Sequence, residues 1–172
     1  NQVAAFGHDY ATETVAATCE TAGSVTKTCA TCGDSYSEKA VTYTQVSSIS
    51  SGSKYVLTLY ANSKYYALSH ENNQISVVEI SVSNGEITSD ISENLLWNCK
   101  DSKLSYENQG TTYYLYGKKS GLKNGTVSIS TSSSSVTFKS NKLKIGTQYL
   151  YYSNGSISLS SSGTTTYAFI EN

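Results

Sequence analysis

The sequence predicts an all-β protein in two unlike parts, a small cysteine-bearing module over residues 1–40 and a larger body over 41–172. Three observations lead there. Ser, Thr, Asn, Gly and Tyr dominate the composition, a polar mixture that suits strands and turns. From Val41 onward short apolar segments recur with no helical periodicity longer than a turn. Gly and Asn turn signals separate these segments at short intervals, while proline is absent and leaves no obvious linker. A chain of 172 residues suits one medium domain, or a small one plus a medium one.

In the first part, VAATC and SVTKTC flank a turn at Gly23, and Val25, Lys27 and Cys29 alternate as a strand with one face inward. His8, Cys19, Cys29 and Cys32 are spaced like one small site. Cys29-x-x-Cys32 makes the tight loop that tetrahedral zinc favours, and Cys19 and His8 lie on upstream segments able to fold back. Three thiolates and one imidazole would make a closed, structural zinc site. Binding would supply roughly 10–16 kcal/mol to a segment of about forty residues that could hardly build a core alone. The alternative is a disulfide among Cys19, Cys29 and Cys32, natural in an oxidising compartment. Closing a loop of about fourteen residues would contribute roughly 3 kcal/mol. It would leave one of these cysteines unpaired and His8 without a role.

In the second part the main clue is internal repetition. Asn84-Gly85 precedes Trp97, Asn124-Gly125 precedes Phe138, and Asn154-Gly155 precedes Phe169, at separations of 13, 14 and 15 residues. A tyrosine strand stands before each of these turns, at Tyr65–Leu68, Tyr113–Tyr116 and Tyr149–Tyr152, and another short apolar strand before that. Three units of four strands can close as a barrel capped by hairpins, the β-trefoil. A two-sheet β-sandwich is the alternative, since alternating strands with Asn-Gly turns serve both. The expected core comprises Leu57, Ala67, Trp97, Leu104, Leu115, Phe138, Leu143, Leu150 and Phe169, with Cys99 a buried free thiol on the Trp97 strand. Asn124-Gly-Thr and Asn154-Gly-Ser match the glycosylation sequon, and both Asn-Gly pairs are read as hairpin turns.

Charge narrows the function. Charged residues are 15% of the chain, the net charge is −1, and all twelve basic residues are lysine. Without arginine forks for phosphates and guanine edges, nucleic acid is not an expected partner. No run of about 18 apolar residues suits a membrane span, so membrane insertion is not expected. No enzyme is expected and no catalytic residue is assigned. There is no G-x-S-x-G elbow or phosphate loop, and His70 in SHENN reads as a solvated loop residue. Asp90, Glu93, Asp101 and Glu107 read as surface charge rather than a glycosidase pair. Fifteen tyrosines beside three phenylalanines and one tryptophan point instead to aromatic faces with wet tips. Sugars, with apolar C–H faces and many hydroxyls, are bound by such rings together with amides. The candidate ligand residues are Tyr60, Tyr65, Tyr106, Tyr113 and Tyr152, with Asn62, Asn72, Asn73, Asn108 and Gln109 in adjoining loops.

The pattern G-H-x-Y…A-T-C…G…T-x-T-C-x-x-C-G is carried by Gly7, His8, Tyr10, Ala17, Thr18, Cys19, Gly23, Thr26, Thr28, Cys29, Cys32 and Gly33. It resembles short repeats of large secreted and cell-wall proteins of Gram-positive gut bacteria. The phrases GSKYVLTL, YYAL, LLW, YYLY and QYLYYS are similar to those of trefoil-type, carbohydrate-binding-type domains of the same kind of protein. The resemblance implies an accessory module, secreted or at the cell surface, cut from a longer chain whose neighbouring domains are adhesins or polysaccharide-degrading enzymes. The expected function is non-catalytic binding of a glycan or polysaccharide. The alternative is a structural spacer or adhesion module with no small ligand other than zinc.

Overall fold

The computed structural model describes residues 9–15, 24–120 and 123–172. Every regular strand pairing in it is antiparallel. The chain divides into two compact units, Asn1–Val41 and Thr42–Asn172.

Among its described residues the first unit forms a three-stranded sheet of β1 (Tyr10–Val15), β2 (Ser24–Cys29) and β3 (Ser35–Lys39), with β2 in the middle. Cys29 is the buried end of β2, and Val25 and Lys27 on the same side are half-buried. A tight turn follows, in which Gly33 N–H donates to the Cys29 carbonyl at 2.9 Å and Cys29 N–H to the Asp34 carbonyl at 2.7 Å. Gly33 sits at φ +73, where a side chain would be strained. Tyr10 meets Tyr36 edge-on at 5.4 Å, and its hydroxyl donates to Asp34 Oδ2 at 3.2 Å.

The described residues of the second unit form one sheet of fifteen strands. In chain order these are β4 (Tyr43–Val46), β5 (Ser53–Ala61), β6 (Lys64–Ser69), β7 (Ser76–Ile80), β8 (Val82–Ser83), β9 (Glu86–Ile87), β10 (Leu96–Lys100) and β11 (Lys103–Asn108). Then follow β12 (Thr111–Ser120), β13 (Lys123–Ser130), β14 (Val136–Lys139), β15 (Lys142–Ile145), β16 (Gln148–Ser153), β17 (Ser156–Ser160) and β18 (Thr166–Glu171). The hydrogen-bonded path is β14-β15-β16-β17-β13-β12-β11-β10-β5-β18-β4-β9-β8, and β6 and β7 branch from β5. Two further backbone bonds join strands distant along that path. Val136 N–H donates to the Ser102 carbonyl at 2.7 Å, and Thr166 N–H to the Asn141 carbonyl at 2.8 Å.

Two-residue turns with both φ positive match the right-handed twist of paired strands, and they set the register here. Asn84-Gly85, Gln109-Gly110 and Asn154-Gly155 are such turns, and so are Asn62-Ser63, Asp101-Ser102 and Ser140-Asn141, which contain no glycine. Asn124-Gly125 is not a turn. It lies inside β13, with Gly125 opposite Leu159 of β17. A Cβ at Gly125 would stand 2.5 Å from Gln148 Oε1 and 2.7 Å from the Lys118 carbonyl, so the glycine serves a close approach of strands.

All nine expected core residues are buried. They fall into two clusters: Ala67 and Phe169 pack with Val56, Ile80, Leu95 and Leu96, while the other seven join Tyr55, Leu59, Leu68, Ile145 and Leu159. Cys99 is buried as well, which pushes its thiol pKa up. The three expected aromatics are not equivalent positions. Cys99 faces Leu104 and Phe138 faces Leu143, each one step in from a turn, whereas Trp97 stands two residues further along, opposite Tyr55. The nearly constant turn-to-aromatic spacing therefore does not mark one repeated position, since Trp97 and Phe138 differ. The first turn also joins a small extra hairpin, β8–β9, rather than the strand after the tyrosines.

Candidate functional site

Two loops and three strands of the second unit enclose a cleft of about 630 Å³. The loop after β6 brings His70, Glu71 and Asn72, and the loop before β10 brings Ser92, Glu93 and Asn94. Leu96 and Asn98 come from β10, Tyr106, Glu107 and Asn108 from β11, and Lys54 from β5.

The floor is aromatic. His70 is 9% exposed and Tyr106 5%, and their rings stack at 3.5 Å with an interplanar angle of 8°. Tyr113 lies against Tyr106 at 5.6 Å and 19°, and Trp97 meets His70 edge-on at 5.0 Å. His70 is therefore not the solvated loop residue its polar neighbours suggest. Its Nε2–H donates to the Leu96 carbonyl at 3.0 Å, which fixes the tautomer because a carbonyl can only accept. Burial lowers the imidazole pKa, opposed by the Leu96 carbonyl and the Glu93 carboxylate. Trp97 Nε1–H donates to the Leu68 carbonyl at 3.1 Å beneath this layer.

The rim is polar and braced. The β6–β7 loop makes a 3-10 turn over Glu71–Asn73, with Asn72 and Asn73 at φ 53 and 57, a region asparagine tolerates. Asn73 Oδ1 accepts from the Tyr106 hydroxyl at 2.8 Å and from Asn108 Nδ2 at 3.1 Å, tying loop to strand. His70 N–H donates to the Asn94 carbonyl at 2.9 Å, and Asn94 Nδ2 to Ser69 Oγ at 3.0 Å, tying the two loops together. Glu71, Glu93, Glu107, Asn72 and Asn108 are left exposed at the mouth. Carboxylates accept and amides both donate and accept, so the rim can satisfy hydroxyl groups while the floor offers an apolar base.

Of the residues the sequence singles out for a ligand, Asn72, Tyr106 and Asn108 line this cleft and Asn73 and Tyr113 support it. Tyr106 is not a half-exposed platform, because His70 and Tyr113 cover its two faces. Tyr60 and Tyr65 stand elsewhere, grouped with Tyr167 at ring distances of 4.8, 5.9 and 5.6 Å. Asn62 forms the β5–β6 turn, Gln109 the β11–β12 turn, and Tyr152 stacks on Tyr66 at 4.7 Å. Sequence reasoning missed Lys54, Glu71, Asn94 and Asn98, and read Glu93 and Glu107 as plain surface charge. A signal was present: the dipeptide Glu-Asn occurs at 71–72, 93–94, 107–108 and 171–172, and the first three copies line the cleft.

Among the described residues no group of three or more His, Cys, Asp or Glu side chains is placed to hold a metal ion. His8 and Cys19 lie outside the described residues. No helix of the described residues is long and apolar enough to cross a membrane. Comparison with protein-family models, with curated proteins and with solved structures finds no match to this chain.

Proposed function

We propose that the chain is a non-catalytic glycan-binding module of a secreted or cell-surface bacterial multidomain protein. Its larger unit is read as a β-trefoil and its smaller one as a zinc-stabilised repeat module. The observation that carries the functional reading is the cleft itself. Exposed amides and carboxylates stand around a floor of buried rings, and hydrogen bonds through Asn73 and Asn94 hold the loops that carry most of them in place before any ligand arrives. A preorganised polar rim of this kind lowers the ordering cost of binding a polyhydroxylated ligand.

The trefoil reading is supported by three hairpins, β6–β7, β12–β13 and β16–β17. A ring of six staves, β5, β10, β11, β14, β15 and β18, supports it too. Ladders join β5 to β10 and β18, β10 to β11, and β14 to β15. The two remaining joints are the Ser102–Val136 and Asn141–Thr166 backbone bonds. The zinc reading is supported by the tight turn that separates Cys29 from Cys32, which fits two thiolate ligands. His8 and Cys19 would supply the others, and such a metal would cross-link the small sheet rather than react.

Affinity-gel retardation and a glycan array over mucin, starch and plant polysaccharides test the function. Retention by at least one glycan class is expected, and it should be lost in Asn72→Gly/Asn108→Ala while the far-UV circular dichroism spectrum stays that of the folded protein. A blank result across all classes refutes it. Elemental analysis with a free-thiol count should find one zinc per chain and no disulfide. Absence of zinc with a bridge among Cys19, Cys29 and Cys32 would refute the metal.

A further inference from the structure

A second cleft of about 700 Å³ adjoins the first on strands β5, β10, β11 and β12. The two share Asn98 and Glu107, so together they reach from the His70 loop across the strands to Thr112 and Tyr114. Each half has the volume of a small-molecule site, and the joined length suits a chain rather than one compact ligand. The charges differ along it. Near His70, Glu71, Glu93 and Glu107 face one lysine, Lys54, which lies 3.9 Å from Glu171 and is partly compensated already. Beyond the junction, Lys100 and Lys103 stand with Asp101, and Glu107 is shared by the two ends, so the acidic surplus lies with Glu71 and Glu93 at the His70 end.

We infer that the paired clefts take an extended, uncharged oligosaccharide laid across both, and that acidic sugars are turned away at the His70 end. This rests on the glycan reading above and names its substrate class. A linear chain of neutral sugars offers hydroxyls along its whole length, which Asn72 and Asn108 can meet in the first cleft, Asn98 at the junction, and Ser53 and Thr112 beyond it. A uronate or sialate carboxylate placed at the His70 end would meet the like charge of Glu71 and Glu93.

Calorimetric titration with cellohexaose, maltohexaose, chitohexaose and hexagalacturonate, then with shorter members of any series that binds, tests this. Affinity should rise at least about tenfold from the disaccharide to the hexamer, and the galacturonate should bind at least about tenfold more weakly than the best neutral chain. Thr112→Trp, at a strand position that accepts aromatics, should reduce hexamer affinity to that of the disaccharide and leave the disaccharide unchanged. Independently of that variant, amide NMR shifts at Lys100, Ser105 and Thr112 should move with the hexamer and stay still with the disaccharide. A disaccharide binding as tightly as its hexamer, or a preference for hexagalacturonate, overturns this inference and leaves the glycan module standing. Failure of every probe, together with a blank array, removes both.

Discussion

Replacing Trp97 by phenylalanine perturbs the point where core and cleft meet. The indole is fully buried, its Nε1–H is bonded to the Leu68 carbonyl, and its ring supports His70 edge-on. Phenylalanine removes about two methylene equivalents of buried surface, worth roughly 1.6 kcal/mol. It also leaves the Leu68 carbonyl, in a residue with no exposure, without that donor, costing about 1–3 kcal/mol. The expected loss is therefore about 3–5 kcal/mol, a large part of the roughly 5–15 kcal/mol that holds a domain together. For a unit of this size the melting temperature should fall by about 10 °C or more. Calorimetry and far-UV circular dichroism are the proper readouts, since Trp97 is the only tryptophan and the variant loses its intrinsic probe. A loss under about 1 kcal/mol would mean that the indole is neither packed nor bonded as described.

His70 gives a pH prediction with a definite sign. Folding holds its pKa below the usual value, so at acid pH the unfolded chain binds the additional proton. Its stabilising contribution is whole above the unfolded pKa of about 6.5 and declines as pH falls through it toward the lower folded value. Urea midpoints between pH 7.5 and 5 should fall less in His70→Gln, which keeps an N–H donor for Leu96; parallel curves for variant and wild type would refute the assignment. Gly125→Ala should cost about 1–3 kcal/mol through overpacking against Lys118 and Gln148, whereas Thr126→Ala on the same strand should stay within about 0.5 kcal/mol. Equal effects of the two substitutions in chemical denaturation would show that Gly125 is not confined.

Much of the strand content was legible because alternation and buried leucines are local properties of a sequence. Leu104, Leu115, Leu143 and Leu150 sit where their patterns put them. Asn-Gly was ambiguous for a physical reason. Glycine answers two separate demands, a positive φ and a missing Cβ, and Gly155 meets the first while Gly125 meets the second. Conversely Asp101-Ser102 and Ser140-Asn141 turn tightly without the residue that advertises a turn. The cleft was the least legible part. His70 reads as polar because Ser69, Glu71 and Asn72 surround it in sequence, yet Trp97 and Tyr106, 27 and 36 positions away, enclose it in space. The tyrosine surplus pointed to Tyr106, which lines the cleft, but its ring is stacked rather than open, since stacking partners are long-range facts.

The serines at the hairpin corners have a consequence for durability. Ser63, Ser102 and Ser140 all hold left-handed backbone at φ 61, 56 and 52, a geometry that costs a residue with a Cβ about 1 kcal/mol or more. None of the three lines the main cleft. Exchange for glycine or asparagine at these corners would harden the domain from its periphery and leave recognition untouched, so robustness and ligand choice can drift independently in relatives of this chain.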